Sequence, residues 1–366
     1  MTTIHYGIIG CGMMGQEHLR NIALLPDTKV TAILEPDKQM AAIAAELATD
    51  AVFVQSIEAM LDIEQLDCYV IVSPNFCHMQ QLEKLAARPL PVLVEKPLFT
   101  NRGHTGRIDQ FISTYHAPVW VAMEYRYMPP VAVFLDEVQQ VTGGINMLSI
   151  REHRFPFLEK VGDWNRFNHQ TGGTFVEKCC HFFDLMRLAI GAEPLRVMAS
   201  GAQNVNHLNE NYNGHVPDIY DNGYVIVDFE NGARAMLELC MFAEGSRYQE
   251  EISAVGRYGK IEARVPGPGR FWPDHLGEPP VSQVVISPRH PAGPEEKEVP
   301  VDPELLEAGD HNGSTFYQHR KFLDVVRNHG KVEVSLDDGK KAVLMGMAAQ
   351  CSMLEQRAVA MSEFNT

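Results

Sequence analysis

The chain has 366 residues, 45% hydrophobic and 21% charged, with a formal net charge of -16. That length suits two domains, and so acidic a surface is repelled by nucleic acid and by anionic membranes, leaving only a local basic patch able to take up a small anion. No apolar run reaches the ~20 residues of a membrane span, and the N-terminus shows no basic stretch followed by an apolar one, so neither a membrane protein nor a secreted one is expected.

The chain up to Arg126 alternates between short apolar runs and helical patterns. "IHYGIIG" is expected as a buried strand, followed by a helix from about Met14 to Leu25. Then come strand "KVTAILE", helix "DKQMAAIAAEL", strand "DCYVIVSP", helix "CHMQQLEKLAA", strand "PVLVEKP", helix "TGRIDQFISTY" and strand "PVWVAMEYR". This alternation predicts a parallel sheet covered on both faces over residues 1–125. From Arg126 the texture changes to "NMLSIREHRF", "RVMASGAQNV", "GYVIVDFENGARAMLELCMF" and "EISAVGRYGKIEARV". Strand after strand without helices between them predicts a second, α+β domain over 126–366 with an antiparallel sheet, and Asn231-Gly232 marks a hairpin turn. The Pro- and Gly-rich stretch from Pro266 to Pro303 is expected as a surface excursion with one strand, "SQVVIS". Two helices close the chain, the last capped by Ser335 or Asp337. The seven cysteines are odd in number and scattered, with no CxxC pair. They fit a reducing cytosol and point to neither a disulfide framework nor a structural zinc.

Gly10-Cys11-Gly12-Met13-Met14-Gly15 is a GxGxxG placed directly after an expected strand and at the opening of an expected helix. In that context Gly10 permits the tight turn, Gly12 lets the backbone approach a diphosphate, and Gly15 lets helix and strand pack closely. The helix N-terminus adds N–H donors and a positive dipole end. Glu35 ends the second strand, where a carboxylate accepts from the ribose hydroxyls and repels a 2′-phosphate, so NAD is expected over NADP, although Lys38 lies close by. Ser73, Pro74, Asn75 and His78, then Glu95, Lys96 and Pro97, follow later strand ends and belong to the same crevice.

Taken together, Gly10/Gly12/Gly15, "SPNFCH" at 73–78, "EKP" at 95–97, "EYRY" at 124–127, "GG" at 172–173, "EKCCH" at 177–181 and "VSLDDGKKAV" near the end resemble, over nearly the whole length, the glucose–fructose oxidoreductase and inositol dehydrogenase (Gfo/Idh/MocA) family. The resemblance implies a Rossmann domain followed by an open-faced, mostly antiparallel sheet domain, with the active site between nicotinamide and sheet and subunits paired into a homodimer or homotetramer. It implies Lys96 as the lysine of the EKP motif, Glu177 as the acid of the helix motif and His181 as the catalytic histidine. Two departures stand out. The family usually carries Asp where this chain has Glu177, and Gly where it has Cys179.

Oxidation of a secondary alcohol needs a base at the hydroxyl and a cation beside the developing alkoxide. His181 suits the first role and Lys96 the second, its own pKa expected to fall on burial. A helical wheel groups Glu177, His181 and Asp184 on one face with Lys178 at its edge, and leaves Cys180 on its flank. No metal is required. Tyr125, Arg126, Trp164, Arg166 and Lys178 are further substrate candidates, with Arg151, His153, Arg154, Asn165 and His169 carried towards the same helix, and several arginines open the possibility of an acidic sugar. The expected enzyme is an NAD-dependent dehydrogenase of a sugar, sugar derivative or cyclitol. An NAD-dependent glycoside hydrolase acting through transient oxidation and elimination stays open, as does a regulator that senses NAD without chemistry.

Overall fold

A computed structural model describes residues 2–364; the ends of the two expected domains, 1 and 365–366, lie outside it. The apolar runs of the first part become strands β1 (Ile4–Ile9), β2 (Thr28–Leu34), β3 (Val52–Val54), β4 (Cys68–Ile71), β5 (Val92–Val94) and β6 (Val119–Val121). All their pairings are parallel and the strand order is 3-2-1-4-5-6. Every residue of β4, β5 and β6 is buried, as a sheet covered on both faces requires. Between the strands run α1 (Met13–Ala23), α2 (Lys38–Leu47), α3 (Ile57–Leu61), α4 (His78–Leu85) and α5 (Thr105–Thr114). The strand expected through Arg126 stops at Val121, and Glu124–Tyr127 turns into a 3-10 helix.

The next element, α6 (Pro129–Thr142), breaks the expectation of strands from Arg126 onward. Its signals are present in the sequence: two prolines at its start and Gly143 in the left-handed conformation (φ 69°) at its end. The second sheet holds β7 (Ile145–His153), β8 (Pro194–Ala202), β9 (Asn222–Phe229), β10 (Arg234–Cys240), β11 (Glu250–Gly256), β12 (Gly259–Val265), β13 (Gln283–Pro288), β14 (Glu295–Glu298) and β15 (Val359–Ala360). Their order is 14-13-12-11-7-10-9-8-15. The pairings are antiparallel except β7 with β10, whose long connection removes the need for a hairpin. Asn231-Gly232 closes the β9–β10 hairpin with Gly232 at φ 85°, as expected. The excursion supplies β13 as expected, plus β14, an exposed "EEKE" edge whose charges blunt further pairing.

One face of this sheet is packed by helices and the other carries Met147, Tyr224, Ile226 and Val255 exposed. The remaining helices are α7 (Asn168–Thr171), α8 (Thr174–Glu177), α9 (Cys180–Ile190), α10 (Pro303–Ala308), α11 (Ser314–Asn328) and α12 (Leu336–Glu355); α6, α9 and α12 pack on the sheet, while α10 and α11 lie against α1. Ser335, rather than Asp337, caps α12, in a capping box with Asp338. The last helices return to the first domain. Val121 N–H donates to Val334 O (3.0 Å), and a Cβ on Gly339 would come within 2.9 Å of the Val121 side chain. This return brings α11 against α1 and builds the floor of the site.

Candidate active site

A crevice of about 850 Å³ runs along the carboxyl ends of the parallel strands. Gly10, Gly12, Met13, Met14, Glu35, Ser73, Pro74, Asn75, Glu95 and Lys96 all line it. Gly10 sits at φ 94°, where a Cβ would lie 2.7 Å from Val72 O, so the turn accepts only glycine. A Cβ on Gly12 would meet nothing within 4 Å, and no side chain caps α1 there. The glycine therefore leaves open space in front of the first-turn N–H groups, which fits a diphosphate. Gly15 lines nothing; its missing side chain lets α1 lie against Gly10 O, which a Cβ would approach to 2.5 Å. Glu35 accepts from Cys11 N–H (2.5 Å) and Asp37 N–H (2.8 Å), which aims its carboxylate into the crevice, whereas Lys38 is exposed and does not line it. His78 and Pro97 are not crevice walls either. The buried His78 ring lies 2.8 Å from Pro97 O and 2.9 Å from Ser73 O, tying two strand ends together.

Adjoining the crevice, and sharing Met13, Met14, Lys96 and Lys160 with it, is a smaller recess walled by Tyr125, Arg154, Glu177, Lys178, His181, Asp310 and His311. The helix motif reaches it through a local irregularity. Cys179 N–H reaches back to Thr174 O (3.3 Å), five residues rather than four, at the junction of α8 and α9. Glu177, Lys178 and His181 all face the recess around that widened turn, a feature common at functional sites. It also corrects two expectations. Asp184 does not look into the cleft, and α9 is buried on nearly all sides rather than striped. The His181 imidazole stacks on Tyr125 with ring centroids 4.1 Å apart and planes at 8°. Tyr125 in turn takes a hydrogen bond from Lys178 Nζ, which also pairs with Glu152 at 2.8 Å. Lys96 Nζ donates to Glu177 O at 3.4 Å. Among the described residues, His181 Nδ1 and Glu177 Oε2 are buried without a partner.

Burial drives His181 well below the ordinary imidazole range, and Lys96, Lys178, His311 and Arg154 push the same way. Lys96 differs from expectation. Burial alone would lower it, yet Cys180 first, then Glu95, Glu177 and Glu124, hold it above the ordinary lysine value. The lysines that fall are Lys160 and Lys178, chiefly by desolvation. Cys180 is pushed up to about 12 by burial, which makes it a packing thiol.

Two arginines proposed as substrate contacts are held elsewhere. Arg126 binds Asp184 through two hydrogen bonds of 2.5 Å and donates to Glu333 O, away from the recess. Arg166 is buried against Glu210 (2.8 Å) and Leu158 O, bracing the segment that carries Lys160. Trp164 lines the dinucleotide crevice rather than the recess, with Lys160 Nζ 4.4 Å above its ring. Arg151 and His153 pair with Glu251 and Glu238 on the outer sheet face, because alternate residues of a strand point to opposite sides. The same alternation turns Glu152 and Arg154 inward with Ile150, a signal that was available in "SIREHR". His169 is exposed, and Asn165 serves its own loop by donating to Leu158 O.

Lys160 and His311 had no local signal, since both lie in irregular segments. Lys160 reaches Glu177 at 3.5 Å. His311 lies 2.9 Å from Glu17 and 3.8 Å from Glu124, with one possible ligand atom of each within 4.8 Å of the others. Thr315 Oγ1 bridges both carboxylates, so internal hydrogen bonds already organise the cluster. Against the pull of burial, Glu17 and Glu124 raise His311 to about 9. A histidine raised on folding stabilises the protein fully below its unfolded pKa of about 6.5, and that contribution is lost as pH rises through about 9. The thermal midpoint should therefore fall between those limits, and Glu17→Gln should flatten the slope in a pH series of melting curves; an unchanged slope would remove His311 as its source.

A glycine-turn crevice for a dinucleotide, opening onto a recess with an imidazole, an ammonium and a carboxylate, defines an NAD-dependent oxidoreductase acting on CH–OH groups. Family models match at both ends of the chain: the oxidoreductase family NAD-binding Rossmann fold over residues 4–123 and the oxidoreductase family C-terminal alpha/beta domain over 138–361. The chain belongs to the Gfo/Idh/MocA oxidoreductase family. It is 34% identical to the inositol 2-dehydrogenase of Leifsonia xyli over 75% of this chain and 78% of that one. It is 23% identical to the myo-inositol 2-dehydrogenase of Thermotoga maritima over 98% of each chain. Its fold matches that of levoglucosan dehydrogenase in complex with NADH and levoglucosan, with TM-score 0.81 at 18% identity over 98% of this chain and all of that one.

Proposed function

We propose that the chain transfers a hydride between NAD and a secondary alcohol of a sugar, sugar derivative or cyclitol. The observation that carries this is the convergence of Lys96, Glu177 and His181 on one recess beside the crevice, with His181 Nδ1 and Glu177 Oε2 buried and unpartnered among the described residues. His181, held neutral by burial, takes the hydroxyl proton as general base. Lys96, charged, donates to the same oxygen and stabilises its developing negative charge. Glu177 accepts from a neighbouring hydroxyl and orients the substrate, Tyr125 holds the imidazole plane, and Lys178 completes the wall. Bound NAD supplies the hydride acceptor. Gly10, Gly12, Met13, Met14, Glu35, Ser73, Pro74, Asn75, Glu95 and Lys96 would hold it. The relatives named for inositol and levoglucosan support cyclitols and sugars as the substrate class.

We place the domain boundary near 125/126, and infer a cytoplasmic setting from the seven free thiols. No described helix is long and apolar enough to cross a membrane. The exposed apolar side chains on the bare sheet face support pairing into a homodimer or homotetramer. Light scattering at micromolar concentration checks this, and a monomer contradicts it. A panel of free sugars, cyclitols and aryl glycosides, followed by NADH absorbance, tests the activity. Net NADH supports the dehydrogenase; aglycone release without net NADH would assign redox-assisted hydrolysis instead.

A further inference from the structure

We propose that the recess selects an acidic polyol, a sugar or cyclitol bearing a carboxylate, and that Arg154 and Lys178 receive its acid group while Lys96, Glu177 and His181 handle the reacting alcohol. This rests on the dehydrogenase reading and names its substrate class. Hydroxyl groups both donate and accept, so a wall built for a neutral polyol offers acceptors as well as donors. This wall is dominated by groups that only donate. Lys96, Arg154, Lys160 and Lys178 face the recess; burial works against the charge on Lys160 and Lys178, while Lys96, Arg154 and His311, which pairs with Glu17 and is raised to about 9, stand there as cations. Of the two carboxylates in the wall, Asp310 is engaged by Arg270 Nε through both oxygens at 2.9 and 3.1 Å, which leaves Glu177.

Arg154 and Lys178, the latter also bonded to Tyr125, are short of counter-charge. They share one carboxylate oxygen of Glu152, at 3.4 Å from Arg154 Nη1 and 2.8 Å from Lys178 Nζ. The next acid behind them, Glu250, stands directly opposite Glu152 across the β7–β11 pair, and burial with that neighbour pushes it up to about 7, which weakens it as a counter-charge. Arg154 gives Nε to Phe155 O (3.2 Å) and lays its guanidinium over the Phe155 ring, 4.3 Å from the centroid. No acceptor among the described residues takes its Nη2 hydrogens. A planar donor fork held by ring stacking, 14% exposed and beside a buried ammonium, matches a carboxylate's acceptor-only oxygens. In a chain of net charge -16, so concentrated a set of cations at one wall marks a local preference for anions.

The test measures kcat/KM with NAD for matched pairs: D-glucuronate against D-glucose, D-galacturonate against D-galactose, and D-gluconate against D-glucitol. The acid of the pair that is turned over should lead by ~10²-fold or more. Arg154→Met should erase that lead, mainly through KM, while changing the neutral member by less than about threefold, and Arg154→Lys should restore part of it. Neutral sugars or cyclitols turned over as well as the acids would overturn the inference and leave the dehydrogenase standing, as would an Arg154→Met variant that slows both members equally. The wild-type comparison alone decides if the variant does not fold. NADH from none of these compounds nor from neutral cyclitols would sink both readings together.

Discussion

His181→Ala should lower kcat by ~10²- to 10⁴-fold, the range for loss of a positioned general base, while the affinity for NAD stays close to wild type. The recess and the crevice share Met13, Met14, Lys96 and Lys160 but not His181, so nucleotide binding measured by fluorescence titration should survive. Lys96→Met should cost ~10²- to 10³-fold by removing the donor at the developing alkoxide. The pH profile separates the two roles. Burial first, then Lys96, keeps His181 below the ordinary imidazole range, so wild-type kcat/KM should stay flat through neutral pH and fall only on the acid side of that range. Removing the Lys96 charge lets the imidazole hold its proton more readily, so the acid limb of Lys96→Met should move to higher pH. Near-normal turnover in both variants would end the assignment; an acid limb that does not move would detach Lys96 from His181.

Arg126→Met should reduce the unfolding free energy by about 3–5 kcal/mol, because it strands a fully buried carboxylate. The Arg126 side chain is 8% exposed and that of Asp184 is 0% exposed. Burial raises Asp184 while Arg126 opposes the rise, so the pair is held together by mutual need rather than by solvent. Arg126 also donates to Glu333 O at 2.9 Å, joining the turn after β6 to α9 and to the segment entering α12. Urea midpoints should show the loss, and Arg126→Met combined with Asp184→Leu should recover much of it, since the paired removal leaves no buried charge. A substrate-binding Arg126 would instead give a raised KM with an unchanged urea midpoint.

Arg126 shows where sequence reasoning fails. Its position after a strand end is that of a cleft residue, but its partner lies 58 residues on and nothing local announces it. Asp184 failed for the matching reason: a wheel drawn for a straight helix cannot foresee the widened turn at Cys179. Arg154, one residue past β7, was within reach of that strand's two-residue alternation, which turns Glu152 inward and Arg151 and His153 outward. Lys160 and His311 were beyond reach, because an irregular segment has no period from which a direction can be taken.

The sequence by itself determined the dinucleotide half. A glycine turn, the strand before it, the helix after it and the acid at the next strand end act over neighbouring residues through backbone sterics and exposed N–H groups, and these are local physics. It also determined the axis of the helix motif, since Glu177 and His181 are four residues apart and one helical turn brings them to the same side. The tertiary structure alone decided which polar groups reach the recess and what charge they carry there. Lys178, at the edge of a straight wheel, joined the wall, Lys96 stayed charged through Cys180 and Glu177 of the helix motif, Glu95 beside it and Glu124 after β6, and His311 arrived from the far end of the chain to meet Glu17 on α1. Desolvation and charge pairing depend on what burial brings together across long sequence separations, and no window along the chain contains them.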